Sequence, residues 1–467
     1  MKINIVINAD ERFREKIRYG FTLLFRPLRL EINFSNHIHS DVINIIYGGS
    51  DQPSTIQHQL HLKPSEKFED RIKNSKLMDI LRIEWLEFGN KRLPKLFPVT
   101  DSEIDFDIAA ATFILASEFQ DLISLERDEF DRLRAMDSLQ DKLGVLNFPV
   151  VNYYSMFLKE KLENSFNVKI ELKKYGDADF ALALTHDVDY TSSLNLKMIR
   201  RNIFGHAILN HEALTPNERA MKLLYPLLAF GRYDPPRRGL KFLRAIENQK
   251  KLRSTFFIKT GATAKQDVNY NYHSRSFRQY LYSLMDHGFE IGIHPSMRTY
   301  LDEQHFVNEK TRLEDLIGKK INSGRQHYLK FTASKTVSIW EKAGMKYDST
   351  LGFSRKAGFR NSVAFPFPLY NFDKDRISDV VELPLLIMDD TFADGKTLTP
   401  DQTHIKMKEL ITETKAAHGS ASILFHNSLS DPIDFPGYEK IYERLLDDAE
   451  NSSFKMGTLS GIIESFQ

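Results

Sequence analysis

Short apolar runs alternate with segments of helical periodicity in the second part of the chain, and this alternation constrains the fold more than any other feature. The runs are FALAL (180–184), STFFI (254–258), FEIGI (289–293), VVELPLL (380–386) and SILF (422–425). Helical patterns lie between them, over 238–252, 276–287, 303–319 and 335–343. Strands that alternate with helices predict parallel βα units. So many units favour an α/β barrel over an open sheet.

The part before about residue 175 has a different pattern and is predicted to be a smaller α+β domain, over 1–175. It opens with a strand-like segment, and Asp107 precedes an apolar run that predicts a buried helix. Residues 122–143 and 152–162 also have helical patterns. The barrel is expected over 176–467, with a partly helical insertion at about 190–236.

Composition limits the chemistry that the chain can perform. None of its 467 residues is cysteine, which excludes disulfides, thiolate metal sites and a cysteine nucleophile. Any metal must therefore be held by His, Asp, Glu or backbone oxygen. The net charge of +1 argues against a nucleic-acid partner. We expect no membrane span, and the N-terminal residues show no signal-peptide pattern, so a cytoplasmic location is predicted.

Titratable residues follow three of the apolar runs. FALAL is followed by THDVD, FEIGI by His294, and SILF by His426. In a parallel barrel the carboxyl ends of the strands converge on the active site. Asp187 and Asp189 are two residues apart, so on a strand both carboxylates face one site, and a divalent cation together with an arginine would offset their repulsion. The histidine pairs 37/39 and 58/61 are interpreted as surface residues.

Weaker candidates lie further along the chain. Arg325 and His327 face one side if their segment is extended. Glu382 and Asp389 flank the PLLIM run, where they either line the site or form a structural pair. Trp340 lies in a helical pattern and is interpreted as a core residue.

The order of these motifs resembles that of the polysaccharide deacetylases, the family-4 carbohydrate esterases. The resemblance covers about residues 177–467 and rests on five segments in order: THDVD, EIGIHPS, GRQHYL, YDST and LFHNS. The variant forms are most similar to a Bacteroidetes-type subgroup that carries an N-terminal domain of unassigned function. The resemblance implies a distorted (β/α)7 barrel and a metal-dependent enzyme that removes N- or O-acetyl groups from glycans.

The family's roles can be carried over to matching positions. The resemblance implies that Asp187 is the catalytic base, that Arg325 pairs with it, and that Asp189 and His294 bind the metal. It also implies that His426 is the general acid and that Asp348 orients it.

Two positions depart from the family pattern. Val188 separates the two aspartates, which are usually adjacent. Arg298 stands where a second metal-binding histidine is usual, and an arginine cannot bind a metal. His327 is the candidate for the missing ligand, and water or His186 are the alternatives.

The expected cofactor is a divalent ion, with zinc first and Mn, Fe, Co or Ni also compatible with His and Asp ligands. The expected substrate is an acetylated sugar or glycan precursor, and Arg298 and Arg360 are candidate contacts to an anionic group on it. The N-terminal domain is expected to position the substrate or to form a homodimer. The alternatives are a catalytically impaired glycan-binding homologue, a DxD metal-dependent glycosyltransferase and a hydrolase of another C–N bond.

Overall fold

The computed structural model describes residues 1–49, 58–75, 83–194, 199–200, 215–230, 234–393, 398–450 and 454–467. The strands in this part of the chain are β1 (Lys2–Ile7), β2 (Glu31–Ser35), β3 (Ile43–Tyr47), β4 (Gln59–Leu62), β5 (Glu84–Phe88), β6 (Lys91–Lys95), β7 (Ala181–Val188), β8 (Thr255–Ile258), β9 (Glu290–Ile293), β10 (Ser323–Gly324), β11 (Tyr347–Asp348), β12 (Phe367–Asn371), β13 (Arg376–Glu382), β14 (Leu385–Met388), β15 (Ser420–Leu424) and β16 (Lys455–Gly457).

The α-helices are α1 (Glu11–Phe25), α2 (Glu66–Asn74), α3 (Ile108–Ala116), α4 (Phe119–Ile123), α5 (Leu139–Lys142), α6 (Val150–Phe166), α7 (Pro216–Phe230), α8 (Pro235–Gln249), α9 (Arg275–Asp286), α10 (Glu303–Ile317), α11 (Thr336–Lys342), α12 (Asp389–Ala393), α13 (Pro400–Ala416), α14 (Tyr438–Glu450) and α15 (Leu459–Glu464). Within the described ranges, no helix is long and apolar enough to cross a membrane.

The N-terminal part contains a four-stranded parallel sheet in the order β2-β1-β3-β4 and the hairpin β5-β6. Asp107 caps α3 as predicted, because its Oδ1 accepts from the Ala110 amide at 3.0 Å. Tyr47 Oη donates to Oδ2 of the same carboxylate at 2.6 Å, which ties α3 to β3. Burial raises the pKa of Asp107 to about 6.

The prediction of a helix over 122–143 is wrong. α4 ends at Ile123 and α5 begins only at Leu139. The intervening chain turns back on itself, with a bridge between Arg127 and Leu133. The side chain of Asp128 accepts from the amides of Phe130 and Arg132, both at 2.9 Å. A polar turn of this kind satisfies the backbone locally, which competes with a helix.

The second sheet has the strand order β12-β13-β11-β10-β9-β8-β7-β15-β14, and β16 also pairs with β7. Every pair is parallel except β12 with β13. The protein is therefore a mixed α/β structure with a curved half-barrel sheet. The predicted runs at 180–184, 254–258, 289–293 and 422–425 all form strands, and their carboxyl ends lie at one edge of the sheet.

The predicted strand over 380–386 is instead two strands, β13 and β14, which pair with opposite ends of the sheet. β13 pairs with β11, whereas β14 pairs with β15. Pro384 lies between them and has no amide proton to donate, so ladder pairing is interrupted there. The Pro384 carbonyl accepts from the Ser422 amide at 2.8 Å, and the Leu383 amide donates to the backbone carbonyl of Asp348 at 2.9 Å. One continuous run of chain thus links the two ends of the strand order.

The N-terminal part and the second sheet share one hydrophobic core, which includes Phe113 of α3 and Tyr370 of β12 with ring centroids 5.2 Å apart. Asn152 of α6 joins the two parts by hydrogen bonds. Its amide donates to the carbonyls of Ala364 at 3.2 Å and Ala417 at 3.1 Å, and its oxygen accepts from the Ala364 amide at 2.8 Å. One buried side chain therefore satisfies three backbone groups of the second part.

The insertion predicted at 190–236 lies partly outside the described residues, and α7 is its described helix. The side chains of His37, His39 and His58 are exposed, in keeping with their interpretation as surface residues, whereas that of His61 is half-buried. Trp340 is buried in the core, as predicted.

Candidate metal and acid–base site

Three potential metal ligands converge where β7, β9 and β10 end. Asp189 follows β7, His294 follows β9, and His327 lies in the turn after β10. The Nε2 atoms of His294 and His327 lie 3.3 and 3.2 Å from Asp189 Oδ1. The three ligand atoms all lie within 4.8 Å of one another, which is a spacing that one cation can bridge. Parallel pairing places these strand ends together.

Hydrogen bonds on the far side of each imidazole fix which nitrogen faces the centre. His294 Nδ1 donates to the Arg325 carbonyl at 2.6 Å. His327 Nδ1 donates to Asp267 Oδ1, also at 2.6 Å. Because carbonyl and carboxylate oxygens only accept, both Nδ1 atoms carry a proton, and Nε2 is the ring nitrogen that faces Asp189 in each histidine. This is the usual arrangement of metal-binding histidines.

Asp189 has the properties of a metal ligand. Its Oδ1 is buried and has no hydrogen-bond partner among the described residues. Burial opposes the charge of this carboxylate, but the adjacent charge of a protonated His327 outweighs it and holds the pKa of Asp189 well below its usual range. An anionic oxygen and two imidazole nitrogens form a donor set that fits a divalent transition metal or zinc.

His186, the alternative third ligand, does not face this centre. Its Nδ1 donates to the Phe425 carbonyl at 2.8 Å and its Nε2 lies 2.7 Å from Glu247 Oε1. Tyr442 Oη also donates to Glu247, at 2.5 Å. The imidazole of His186 is therefore held in a buried hydrogen-bond network, and of the two candidates for the third ligand His327 is the one that lies beside Asp189, together with His294.

Asp187 lies beside the three ligands and is held by an arginine. Arg325 Nη1 donates to Asp187 Oδ1 at 3.0 Å, and Asp187 Oδ2 lies 3.6 Å from His294 Nε2. Arg325 is fully buried, and its other donors reach the carbonyl of Ser349 at 2.7 Å and the hydroxyl of Thr185 at 2.9 Å. The guanidinium is thus fixed on several sides, and it orients one oxygen of Asp187 while the other faces the ligands.

His426 lies across the site from His327. Its Nε2 is 3.9 Å from Asp189 Oδ2, and its Nδ1 donates to Asp389 Oδ1 at 2.6 Å. The other oxygen of Asp389 accepts from the His426 amide at 2.7 Å, so this carboxylate holds both the ring and the backbone. Burial disfavours the charged ring, but the negative charge of Asp389 outweighs it and raises the pKa of His426 well above its ordinary value.

The residue that orients His426 is therefore Asp389, and the expected contact with Asp348 is not made. Asp348 is buried in β11 and accepts from Thr350 Oγ1 at 2.5 Å. Burial raises its pKa to about 7. Burial and the neighbouring Asp348 raise the pKa of Glu382 well above its usual range. Burial raises both pKa values because it removes the charged carboxylate from water, and the repulsion between two adjacent negative charges raises that of Glu382 further.

The two predicted substrate contacts lie in different surroundings. Arg360 is buried and binds Glu118 of the N-terminal part, with Nε to Oε1 at 3.0 Å and Nη2 to Oε2 at 2.5 Å. It is a structural ion pair, which corrects its prediction as a substrate contact. Arg298 is exposed, and its amide donates to Thr263 Oγ1 at 2.9 Å.

Two further residues of the site are not among the residues predicted from the sequence. Asp267 lies in the loop after β8, where burial is outweighed by its bond to His327 and its pKa is lowered to about 2. Lys259 follows β8 directly, is 2% exposed, and its Nζ has no hydrogen-bond partner in the described part of the chain. Burial lowers the pKa of Lys259, and this effect outweighs the nearby negative charges of Asp189 and Asp267, which raise it. Its place at a strand end is a signal that sequence analysis could have used.

Comparisons with known proteins add the following similarities. The profile of DUF7033, described as a family of unknown function, matches residues 5–167. No curated protein matches the chain. The chain is similar to a solved structure from Mycobacterium smegmatis that is assigned as a polysaccharide deacetylase, with 17% identity, a TM-score of 0.41, and coverage of 62% of this chain and 90% of that one.

Two further solved structures have lower scores. A chitin deacetylase of the fungus Colletotrichum lindemuthianum has 13% identity and a TM-score of 0.32, over 61% of this chain and 88% of that one. A CE4 family pseudoenzyme from Bacillus anthracis has 11% identity and a TM-score of 0.33, over 63% of this chain and 68% of that one.

Proposed function

We propose that the protein is a metal-dependent hydrolase that removes an acetyl group from an amide or ester of a sugar. The observation that carries this proposal is the convergence of Asp189, His294 and His327, with the Arg325-held carboxylate of Asp187 on one side and His426 on the other. A base, an acid and a cation site within one edge of a sheet are the components that hydrolysis of an amide requires.

The residues of the chain would divide the work as follows. Asp189, His294 and His327 would hold a divalent cation, which supplies Lewis-acid chemistry that polarises a carbonyl and acidifies water. Asp187 would accept the proton of the attacking water at Oδ2, because Oδ1 is engaged by Arg325. His426 would donate the Nε2 proton to the leaving nitrogen or oxygen, since Asp389 keeps the ring protonated. No covalent intermediate is needed.

The ligand set supports zinc as the first choice of metal, because two imidazoles and one carboxylate form a common catalytic zinc arrangement. Manganese, iron, cobalt and nickel accept the same donor types. An acetylated sugar or glycan precursor is the proposed substrate. The distorted (β/α)7 barrel is supported by the run of chain from β13 to β14, which joins both ends of the strand order. The cytoplasmic location, the homodimer and the boundary near residue 175 stay predictions.

The proposed function is tested with protein that has been stripped of metal and reloaded with zinc. We expect one equivalent of bound metal and the release of acetate from N-acetylglucosamine oligomers or O-acetylated sugars. In Asp187→Asn, the metal should stay bound while turnover falls about 10²- to 10⁴-fold, because the base is lost. Asp179→Asn, which changes an exposed aspartate just before β7, is the matched control and should keep full activity.

Three results would contradict the proposal. Wild-type protein that binds no stoichiometric metal would exclude a metal-dependent enzyme and favour a non-catalytic homologue. Full activity in Asp187→Asn would show that this carboxylate is not the base. Hydrolysis or transfer of a nucleotide sugar in place of deacetylation would favour a glycosyltransferase.

A further inference from the structure

The turn that carries His327 has an unfavourable backbone conformation. Tyr328 and Leu329 follow His327 directly, and both have positive φ angles, 60° and 52°. Two consecutive left-handed residues with side chains are disfavoured in the absence of outside contacts. A strained turn persists only when neighbouring groups hold it in place. The position of the His327 ring, and hence of its Nε2, therefore depends on what contacts this turn.

Three contacts to this turn and the residue after it come from the N-terminal part of the chain, from residues 126–134, which we call the supporting loop. Arg132 Nη1 donates to the Tyr328 carbonyl at 2.7 Å. The ring of Phe130 lies against the ring of Tyr328, with centroids 4.9 Å apart. In the other direction, Lys330 Nζ of the second part donates to the Phe130 carbonyl of the loop. The supporting loop thus contacts the turn at its backbone, at its aromatic ring and at the residue that follows it.

The supporting loop is itself held by internal hydrogen bonds. Asp128 Oδ2 accepts from Arg132 Nε at 2.8 Å, in addition to the two amides that Oδ1 binds. Only 8% of Arg132 is exposed, so its guanidinium is ordered by Asp128 before it reaches Tyr328. A buried donor with a fixed direction is suited to hold a carbonyl of another part of the chain.

We propose that the supporting loop is a positioning element that holds His327 in the geometry needed for metal binding, with Arg132 as its principal positioning residue. The loop lies inside the segment 5–167 that matches a family of unknown function, so the proposal gives that segment a role in completing the site. It rests on the proposed function, because it assumes that His327 is a ligand.

The experiment compares Arg132→Ala with Arg134→Ala in the full chain. Arg134 lies in the same loop and pairs with Glu126 at 3.0 Å and with Asp137. Its replacement by alanine therefore removes the same charge from the loop but leaves the hydrogen bond from Arg132 to Tyr328 in place. Each protein is stripped of metal and titrated with Co²⁺, whose visible absorption reports the number and geometry of its ligands. We expect Arg132→Ala to weaken Co²⁺ binding roughly tenfold and to alter the spectrum, as loss of a residue that orients a ligand does. Arg134→Ala should match wild type, and Arg132→Lys should restore part of the affinity.

Hydrogen–deuterium exchange of residues 325–331 provides a readout that needs no metal. Faster exchange in Arg132→Ala than in Arg134→Ala supports the positioning element even if wild-type protein binds no Co²⁺, in which case only the proposed function fails. If Arg132→Ala does not fold, Phe130→Leu replaces it, because it removes the ring contacts with Tyr328 and Arg132 and keeps the guanidinium. Unchanged exchange and Co²⁺ affinity in the Arg132 or Phe130 variant would overturn the proposal, and so would equal effects in Arg132→Ala and Arg134→Ala.

Discussion

The two sides of the candidate site contain the same histidine–carboxylate pair in different surroundings. His327 donates Nδ1–H to Asp267, and His426 donates Nδ1–H to Asp389, each at 2.6 Å. His327 Nε2 is 3.2 Å from Asp189 Oδ1, which His294 also approaches, whereas His426 Nε2 is 3.9 Å from the other oxygen. A carboxylate that accepts from Nδ1 therefore does not determine whether the imidazole suits metal binding or proton donation.

The surroundings of Nε2 account for the difference. On the His327 side, a second imidazole and a carboxylate converge on one point, which suits a shared cation. On the His426 side, the carboxylates of Asp389 and Asp390 both favour the protonated ring, which suits a proton donor. The comparison predicts that variants of the two histidines fail in different ways.

The largest expected effect comes from replacing each histidine by asparagine. His426→Asn should lose turnover by about 10²- to 10⁴-fold and keep its metal, because a general acid is removed. His327→Asn should lose the metal, and activity with it. Metal content after dialysis and the rate of acetate release distinguish the two. His418→Asn, at an exposed position that precedes β15, is the control. Loss of metal in His426→Asn would show that His426 also binds the metal, so that the two histidines would not differ in role.

A smaller effect is expected from the carboxylates behind the rings. Asp267→Asn should weaken metal affinity about 10- to 100-fold, because the Nδ1 bond of His327 no longer fixes the ring and its tautomer. Asp389→Asn should leave the affinity close to that of wild type. Competition with a chromophoric chelator measures both constants. Equal losses in the two variants would show that Asp389 belongs to the metal site as well.

The smallest effect is a pH dependence of stability in the metal-free protein. The pKa of His426 is raised on folding, so its contribution is complete below its unfolded pKa and is lost as the pH rises through the folded pKa. Each unit of pKa shift is worth about 1.4 kcal/mol. Urea unfolding of wild type and His426→Asn from pH 6 to 10 should show a stability difference that narrows as pH rises. A difference that widens would contradict the raised pKa.

The part of the site whose residues follow strands is predictable from the sequence. Asp187, Asp189, His294 and His426 lie at the ends of apolar runs that form β7, β9 and β15, so parallel pairing alone brings them to one edge. The catalytic and ligand roles of these residues stay predictions.

The missed contacts depend on tertiary structure. The run over 380–386 predicts one strand, but the break at Pro384 places Asp389 on the β15 side of the sheet, where it binds His426. Arg360 and Glu118 are 242 residues apart, and no local pattern indicates that they pair. Asp267 lies in a loop whose path periodicity cannot predict.

The hydrogen bonds of Asn152 have a practical consequence for dissecting the protein. A fragment that starts near residue 176 would leave the carbonyl of Ala417 and the amide of Ala364 without the partner that satisfies them, and the Ala364 carbonyl would keep only its bond from the Ser420 amide. The same cut would expose the apolar surface that Tyr370 shares with Phe113. Expression of the second part alone is therefore expected to yield aggregated protein, and the two parts are best produced as one polypeptide.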